Sequence, residues 1–522
     1  MLQKLIKYFN TIIYIKPIQA YYQFKYRITR SHINLNNYTS HLNDPLFFLN
    51  LKFTKELINS NGKYLGHNQF KFLNISKKFE FQVDWNYDKP GKLWNYNLQY
   101  FEFLLDNTID VKERLRLLKE FNSALLSGKV KAEPYPISIR ILNTLLFISE
   151  NHIRDFHIEE GIKKQLEFLT KNLEYHLLAN HLLENYISVY ILSLCLNNEA
   201  LKISFKDKLK AQLNIQILED GGHYECSPMY HSIILSKVLI ALEASIIHND
   251  TDLIYFLREK AEVMSGWLIQ YSFPDGTWAL MNDSAIEIAP PTNKIIEIIK
   301  KLQLEPKLVP LKDSGYKKIV GSNWECIIKI GNIIPSYQPG HTHSDMLSFC
   351  IWHKQLGHVV VDPGISTYNI NEQRLIERGT LSHNTVAIYE KNQSQIWSAF
   401  RVAKRGKCKI VSENSNSFTA EVKHFHSKKI HIRDFHFQKD LLIVTDHIKN
   451  NYKIDFSSSI LLDNKIKYHY DSGKISTPYC DIYTTPHGLI QHTKHAIRFN
   501  ELIDTTRIRI TSNNIHTLKF IF

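Results

Sequence analysis

The densest polar cluster in the sequence is Gly340-His341-Thr342-His343-Ser344-Asp345, directly before an apolar run from Met346 to His353. In an extended chain, residues two apart face the same way, which puts His341, His343 and Asp345 on one face. Gln355 to Gly357 reads as a hairpin turn, and the return strand His358 to Val361 ends in Asp362-Pro363-Gly364, beside the start of the cluster. A further polar stretch, Leu381-Ser382-His383-Asn384-Thr385, opens the next strand. His343, Asp362 and His383 thus make a zinc set of two imidazoles and one carboxylate, with one position left for water or another ligand. With 25 histidines in the chain, an accidental HxH is the competing explanation, and the hairpin geometry favours the metal.

Two more clusters fall in helical sequence. Asn180-His181-Leu182-Leu183-Glu184-Asn185 begins an otherwise apolar helix, where Asn180 is either an N-cap or a functional amide. Asp220-Gly221-Gly222-His223-Tyr224-Glu225-Cys226-Ser227-Pro228-Met229-Tyr230-His231 is a loop running into a helix, with Tyr230 in its first turn. The glycines let backbone approach a ligand closely; a tyrosine there is otherwise a packing residue. An amide, a phenol and imidazoles together suit one reaction. Removing the C5 proton of a uronate requires a donor to neutralise the carboxylate, a base for the proton and an acid for the leaving oxygen. Hydrolysis instead calls for two carboxylates flanking the bond, for which Glu225, Asp275 and Asp283 are the candidates.

The elements that must position these groups divide the chain in two. From about Asn97 to Lys301 the apolar residues recur with helical period, as in Val111 to Leu126, His176 to Leu196, Met229 to Ile247 and Leu253 to Tyr271. After Pro310 the texture becomes short alternating runs such as Cys326 to Ile330, Leu347 to Trp352, Lys429 to Phe437 and Leu441 to Val444, which predict an antiparallel sandwich. We therefore expect an appendage over 1–90, a helical domain over 91–310 and a β domain over 311–522.

Over 522 residues the formal charge is +13, which favours a polyanionic partner. No nucleic-acid motif or arginine-rich run accompanies it, so an acidic polysaccharide is preferred to nucleic acid. Aromatic residues make up 12% of the chain, enough both to fill cores and to stack on sugar faces. The six cysteines are dispersed and read as buried thiols. No run of about eighteen apolar residues predicts a transmembrane helix. Met1 to Arg30 is basic and partly apolar but carries no cleavable signal, which suggests a cytoplasmic or envelope-associated protein rather than a secreted one.

From about Leu93 onward these motifs, in this order, resemble the heparinase II/III family of polysaccharide lyases, which includes alginate-lyase-like members. The resemblance is carried by Leu93-Trp94-Asn95-Tyr96-Asn97-Leu98-Gln99-Tyr100-Phe101, Pro134-Tyr135-Pro136-Ile137-Ser138-Ile139-Arg140, Asn180-His181 and the Asp220 to His231 stretch. The C-terminal half adds Gly340 to Phe349, Val361-Asp362-Pro363-Gly364 and Ser382-His383-Asn384-Thr385-Val386. The resemblance implies an α+β multidomain chain, with an incomplete (α/α) toroid followed by an antiparallel β-sandwich and a cleft between them. It implies β-elimination on a uronate-containing acidic glycan, in a degradative or a surface-polysaccharide system.

By the same resemblance, Asn180 neutralises the substrate carboxylate, Tyr230 is general base and acid, and His341 is an opposing base or a support. His343, Asp362 and His383 match ligands of a structural metal, zinc. Arg140, His181 and His231 fall on the substrate side. Arg374 and Arg378, in a loop before His383, meet acidic sugar unless that loop is simply solvated. Tyr230 and His341 lie on different domains and are expected to approach the sugar from different sides, with His181 and Arg140 lowering the phenol's pKa and the basic surplus partly gathered along the cleft. A glycoside hydrolase and a non-catalytic acidic-glycan-binding protein are the competing readings.

Overall fold

The computed structural model describes residues 2–29, 35, 38, 45–58, 63–449 and 454–522, so Met1, Arg30 and much of the stretch up to Asp44 lie outside the described residues. Two helices open the chain, α1 (Leu2–Ile12) and α2 (Pro17–Thr29), followed by a three-stranded sheet over Lys63–Tyr64, Gln69–Phe72 and Ile75–Lys78. The sheet is no separate appendage. Its Phe70 and Phe72 are buried in the same apolar cluster as Trp94, Phe101 and Phe121 of the helical region.

Among the described residues nine α-helices follow: α3 (Lys92–Tyr100), α4 (Val111–Leu126), α5 (Pro134–Glu150), α6 (Phe156–Lys171), α7 (Ala179–Cys195), α8 (Glu199–Gln216), α9 (Pro228–Ile247), α10 (Thr251–Tyr271) and α11 (Thr292–Lys301). They form two layers. Helices α5, α7 and α9 are buried nearly all round and pack on one another, whereas α4, α6, α8 and α10 are amphipathic and cover them. An inner ring sheathed by an outer one is the arrangement of an incomplete (α/α) toroid. In α4 the inward stripe is Leu117, Leu118, Phe121 and Leu125, and the Asp110 side chain caps the first turn by accepting from the Lys112 N–H at 2.7 Å. Helix α9 has the length and apolarity to cross a membrane, but 72% of that stretch is buried inside the protein.

Beyond α11 the chain turns to strands. The first sheet comprises Tyr316–Val320, Trp324–Lys329, Phe349–His353 and Gly357–Val360, all antiparallel. Because strand side chains alternate, Ile327, Cys350 and Trp352 join the helical core while Cys326, Ile328, Phe349 and Ile351 join the core of the sandwich. One sheet thus glues the two halves together. An eight-stranded and a second four-stranded antiparallel sheet complete the β-sandwich, and a short helix, α12 (Glu372–Glu377), interrupts the connection to the strand Val386–Ile388.

The strand expected from Met346 starts only at Phe349, and Leu347 takes a left-handed φ of 62°. His341 to Ser348 form a folded loop, so His341, His343 and Asp345 do not share a strand face. The loop is held by its buried polar groups instead: the Ser344 N–H donates to the Arg378 carbonyl at 3.0 Å, and Asp345 pairs with the buried Lys329 ammonium.

Candidate active site

The N-termini of the three inner helices open on one cleft of about 410 Å³, which brings Tyr135 of α5, Asn180 and His181 of α7, and Tyr230 of α9 together. The β half closes it with His341, Tyr368 and Phe400. Proline in the first turns of α5 and α9 suits positions whose N–H would have no helical partner. Three helix N-termini aimed at one space favour negative charge there.

Asn180 lies in the first turn of α7, one residue inside the helix, so it is not the N-cap. The two residues before it, Leu178 and Ala179, hold left-handed φ values of 61° and 51°, strain of the kind found beside functional groups. Its Oδ1 is buried without a hydrogen-bond partner among the described residues. Beside it, burial and the charge of Asp283 push the Glu225 carboxyl up to about 8, the Asn180 amide pulling part of the way back. Glu225 Oε1 is 3.9 Å from His341 Nε2, and its Oε2 is 3.7 Å from His223 Nδ1.

Tyr230 is set in place by the α9 cap: the Ser227 hydroxyl accepts from the Tyr230 N–H at 3.2 Å and donates to the Asp283 carbonyl at 2.7 Å. The Tyr230 and His341 rings stack with centroids 3.8 Å apart and planes 27° apart. The two groups therefore edge one wall of the cleft, and no sugar fits between them, contrary to the expectation of approach from different sides. Burial raises the Tyr230 phenol above its ordinary value, with the Tyr368 hydroxyl, 3.2 Å away, and the Arg374 charge lowering it in part. These two groups take the place foreseen for His181 and Arg140.

Behind the stack lies Asp283, considered from sequence only as a hydrolytic carboxylate and here found to orient two histidines instead. It is fully buried and held bidentately by Arg374, at 2.5 and 2.7 Å. Its Oδ2 is 2.8 Å from His341 Nδ1 and its Oδ1 is 2.8 Å from His343 Nε2. An ionised acceptor at Nδ1 assigns the His341 proton there and leaves Nε2 with its lone pair toward the cleft. The carboxyl is kept ionised because Arg374 and the two imidazoles outweigh its burial.

On the far side of His343 the expected metal group assembles: ligand atoms of His343, Asp362 and His383 all lie within 4.8 Å of one another and all three residues are buried. A donor is left over on each residue. His343 Nδ1, Asp362 Oδ1 and His383 Nε2 have no hydrogen-bond partner among the described residues, while their other polar atoms are taken up by Asp283 and by each other, His383 Nδ1 lying 2.9 Å from Asp362 Oδ2. Three orphaned donors with carboxylate-oriented imidazoles fit a divalent cation.

Four expected substrate contacts are not in the cleft. Arg140 is buried inside the toroid, donating to the Gln165 side chain at 2.8 Å and the Gln99 carbonyl at 3.0 Å. His231 packs on Trp267 and spends its ring nitrogens on the His223 N–H and the Met264 carbonyl. Neither Arg374 nor Arg378 is solvated: Arg374 grips Asp283 from α12, and Arg378 donates to the Thr342 carbonyl at 2.9 Å and the Ala399 carbonyl at 3.0 Å. Both arginines brace the loop that carries His341. A buried guanidinium needs acceptors, and here backbone carbonyls and the side chains of Asp283 and Gln165 supply them. Of the expected substrate-side residues His181 does line the cleft, its ring against Tyr135 and its Nδ1 3.2 Å from Glu174.

Of the three carboxylates considered for hydrolysis, Asp275 is bonded to Thr277 and Trp352 outside the cleft and Asp283 is committed as above, which leaves Glu225. The lining also includes Glu102, whose carboxyl burial raises to about 7. The basic surplus is not gathered here. Lys92 pairs with Glu133 at 2.7 Å and Lys237 with Glu184 at 2.9 Å, so the wall is close to neutral, and it is rich in tyrosine, with Tyr96, Tyr100 and Tyr368 beside Tyr135 and Tyr230.

Comparison with known proteins agrees with this architecture. The heparinase II/III N-terminus model matches residues 146–301 and the heparinase II/III-like C-terminal model residues 304–512. No curated protein matches the sequence. Among solved structures, heparan sulfate lyase HepC from Pedobacter heparinus superposes with a TM-score of 0.56 at 14% identity, over 97% of this chain and 87% of that one. Heparinase III gives 0.65 at 13% identity over 96% and 88%, and chondroitin AC lyase from Streptomyces coelicolor gives 0.51 at 8% identity over 82% and 74%. At these identities the superpositions establish the fold, while the two adjoining sequence matches establish kinship: the chain belongs to the heparinase II/III-like family of polysaccharide lyases.

Proposed function

We propose that the cleft cleaves a uronate-containing acidic glycan by β-elimination. The observation that carries this reading is the Asp283-oriented His341 stacked on Tyr230, with the Asn180 amide at the same cleft. His341 Nε2 takes the C5 proton; the electron pair left behind forms the C4–C5 double bond. The C4–O bond breaks, and its oxygen takes the proton of the Tyr230 hydroxyl. Asn180 and the neutral Glu225 carboxyl donate to the substrate carboxylate as charge builds there, and the helix N-termini add to that stabilisation. A phenol whose pKa is raised is a ready acid and a poor base, which divides the labour between the two rings.

Because both rings edge one wall, the favoured substrate has its C5 proton and its leaving oxygen on the same side of the sugar. A near-neutral wall rich in tyrosine suits carboxylate-bearing sugars better than densely sulfated ones. The leftover donors of His343, Asp362 and His383 are proposed to hold zinc, which, when bound, ties three separated stretches of chain together behind the base.

Incubation with a panel of acidic glycans tests the reaction. The expected product absorbs in the ultraviolet through its unsaturated uronate and is lighter by one water than a hydrolysis product. Product of hydrolytic mass from any substrate in the panel, with no absorbance, would refute elimination.

A further inference from the structure

The helix pair at the start of the chain is amphipathic the wrong way round for a soluble protein. A surface helix ordinarily turns its apolar stripe inward. In α1 the residues that pack on the β half are Tyr8, whose ring meets Trp397 edge-on at 4.8 Å, Thr11, which accepts from Trp397 Nε1 at 3.1 Å, and Tyr14, 3.6 Å beneath the Arg405 guanidinium, in the turn after the helix. Leu5, Phe9 and Ile12, on one face at helical spacing, point away from the protein. In α2 the inward residues are Gln19 and Tyr26, and Tyr21, Phe24 and Ile28 point out. These six outward side chains are each between 56% and 69% exposed, so each helix turns an apolar stripe to solvent.

Charge says what covers it. Residues 1–30 contain Lys4, Lys7, Lys16, Lys25, Arg27 and Arg30, and the first acidic residue of the chain is Asp44. A second copy of the chain docked face to face would set these cations against themselves. A soluble polyanion would meet the cations and leave the six apolar side chains in water. An anionic lipid surface satisfies both, with the apolar side chains among the acyl chains and the cations at the headgroups. Helices of 11 and 13 residues are well short of the roughly 20 needed to cross a bilayer, so they lie in its plane.

We propose that α1 and α2 dock the protein on an anionic membrane surface. The helix pair borders the cleft through its inward side: Gln19 Nε2 donates to the Leu177 carbonyl at 3.4 Å and the Tyr337 carbonyl at 3.5 Å, Lys16 sits 3.9 Å over the Tyr337 ring, and Leu177 lines the cleft. A docked molecule holds the cleft beside the lipid, where it meets glycan attached to or lying along the membrane. The docking itself does not depend on the elimination chemistry.

Co-sedimentation of the full chain with vesicles of phosphatidylcholine, alone or mixed with phosphatidylglycerol, tests this. The protein should sediment with the mixed vesicles, less so as salt is raised. The double variant F9D/F24D should weaken binding by about tenfold or more through lost apolar insertion, and K4E/K7E should remove the preference for anionic lipid. All these residues are solvent-facing or half-buried, and unchanged melting temperatures will show that both variants fold. Wild-type protein that stays in the supernatant with both vesicle types overturns the proposal. So does a dimer that F9D/F24D converts to a monomer without any lipid binding, which would assign the face to a second copy.

Discussion

Asp283 and Arg374 form a fully buried bidentate ion pair, and the same two carboxylate oxygens orient His341 toward the cleft and His343 toward the metal group. One side chain thus fixes the tautomer of the proposed base and of a proposed ligand. Asp283→Asn should lower kcat by about 100-fold or more with a smaller change in KM, because an amide can present its N–H to an imidazole nitrogen and favour the wrong tautomer. Metal content should fall in the same variant. Wild-type kcat with full metal content would show that Asp283 orients neither ring.

Glu225 sets the alkaline limit. Its carboxyl stays protonated up to about 8 and then ionises, putting a negative charge where the substrate carboxylate must sit. The value of kcat/KM should therefore fall as pH rises through about 8. Glu225→Gln cannot ionise, and its profile should stay flat across that range. An unaltered alkaline limb in the glutamine variant would transfer the titration to another group.

Removal of the proposed metal should cost stability before it costs chemistry. Dialysis against a chelator, or His383→Ala, should lower the melting temperature by roughly 5 °C or more, and elemental analysis of the wild type should find one zinc per chain. A metal-free wild type with the melting temperature of His383→Ala would mean that the three orphaned donors hold nothing.

The pairing of the cleft cations predicts weak salt dependence on soluble substrate. Between about 50 and about 200 mM salt, kcat/KM should change by less than about threefold, since the Lys92 and Lys237 charges, already neutralised by Glu133 and Glu184, have little left to screen. A steep decline would mean that those pairs open to grip the glycan.

The helices were legible wherever apolar spacing was strong. The expected Val111 to Leu126 helix is α4 residue for residue, and the hairpin around Gln355 to Gly357 places Asp362 beside His343 as read. The HxH loop misled because two-residue alternation describes a strand, and the chain there is held by buried side-chain bonds that periodicity does not register. The arginines misled for a related reason. Charge in sequence suggests solvent or substrate, yet Arg140, Arg374 and Arg378 all found buried acceptors in distant segments. Asp283 had left a trace, a carboxylate between the apolar runs Trp278 to Met281 and Ala285 to Ile286, where a buried charge must have partners. Nothing local marks Tyr368, which reaches Tyr230 only through the fold.

The central claim is that Tyr230 delivers the proton to the leaving oxygen while His341 takes one from C5. Single-turnover appearance of the unsaturated product, compared between wild type and Tyr230→Phe at equal foldedness, measures it most directly. The ring and its stacking survive that substitution and only the acidic hydroxyl is lost, so the rate should drop by about 100- to 10,000-fold. A Tyr230→Phe protein that turns over at the wild-type rate would contradict the assignment outright.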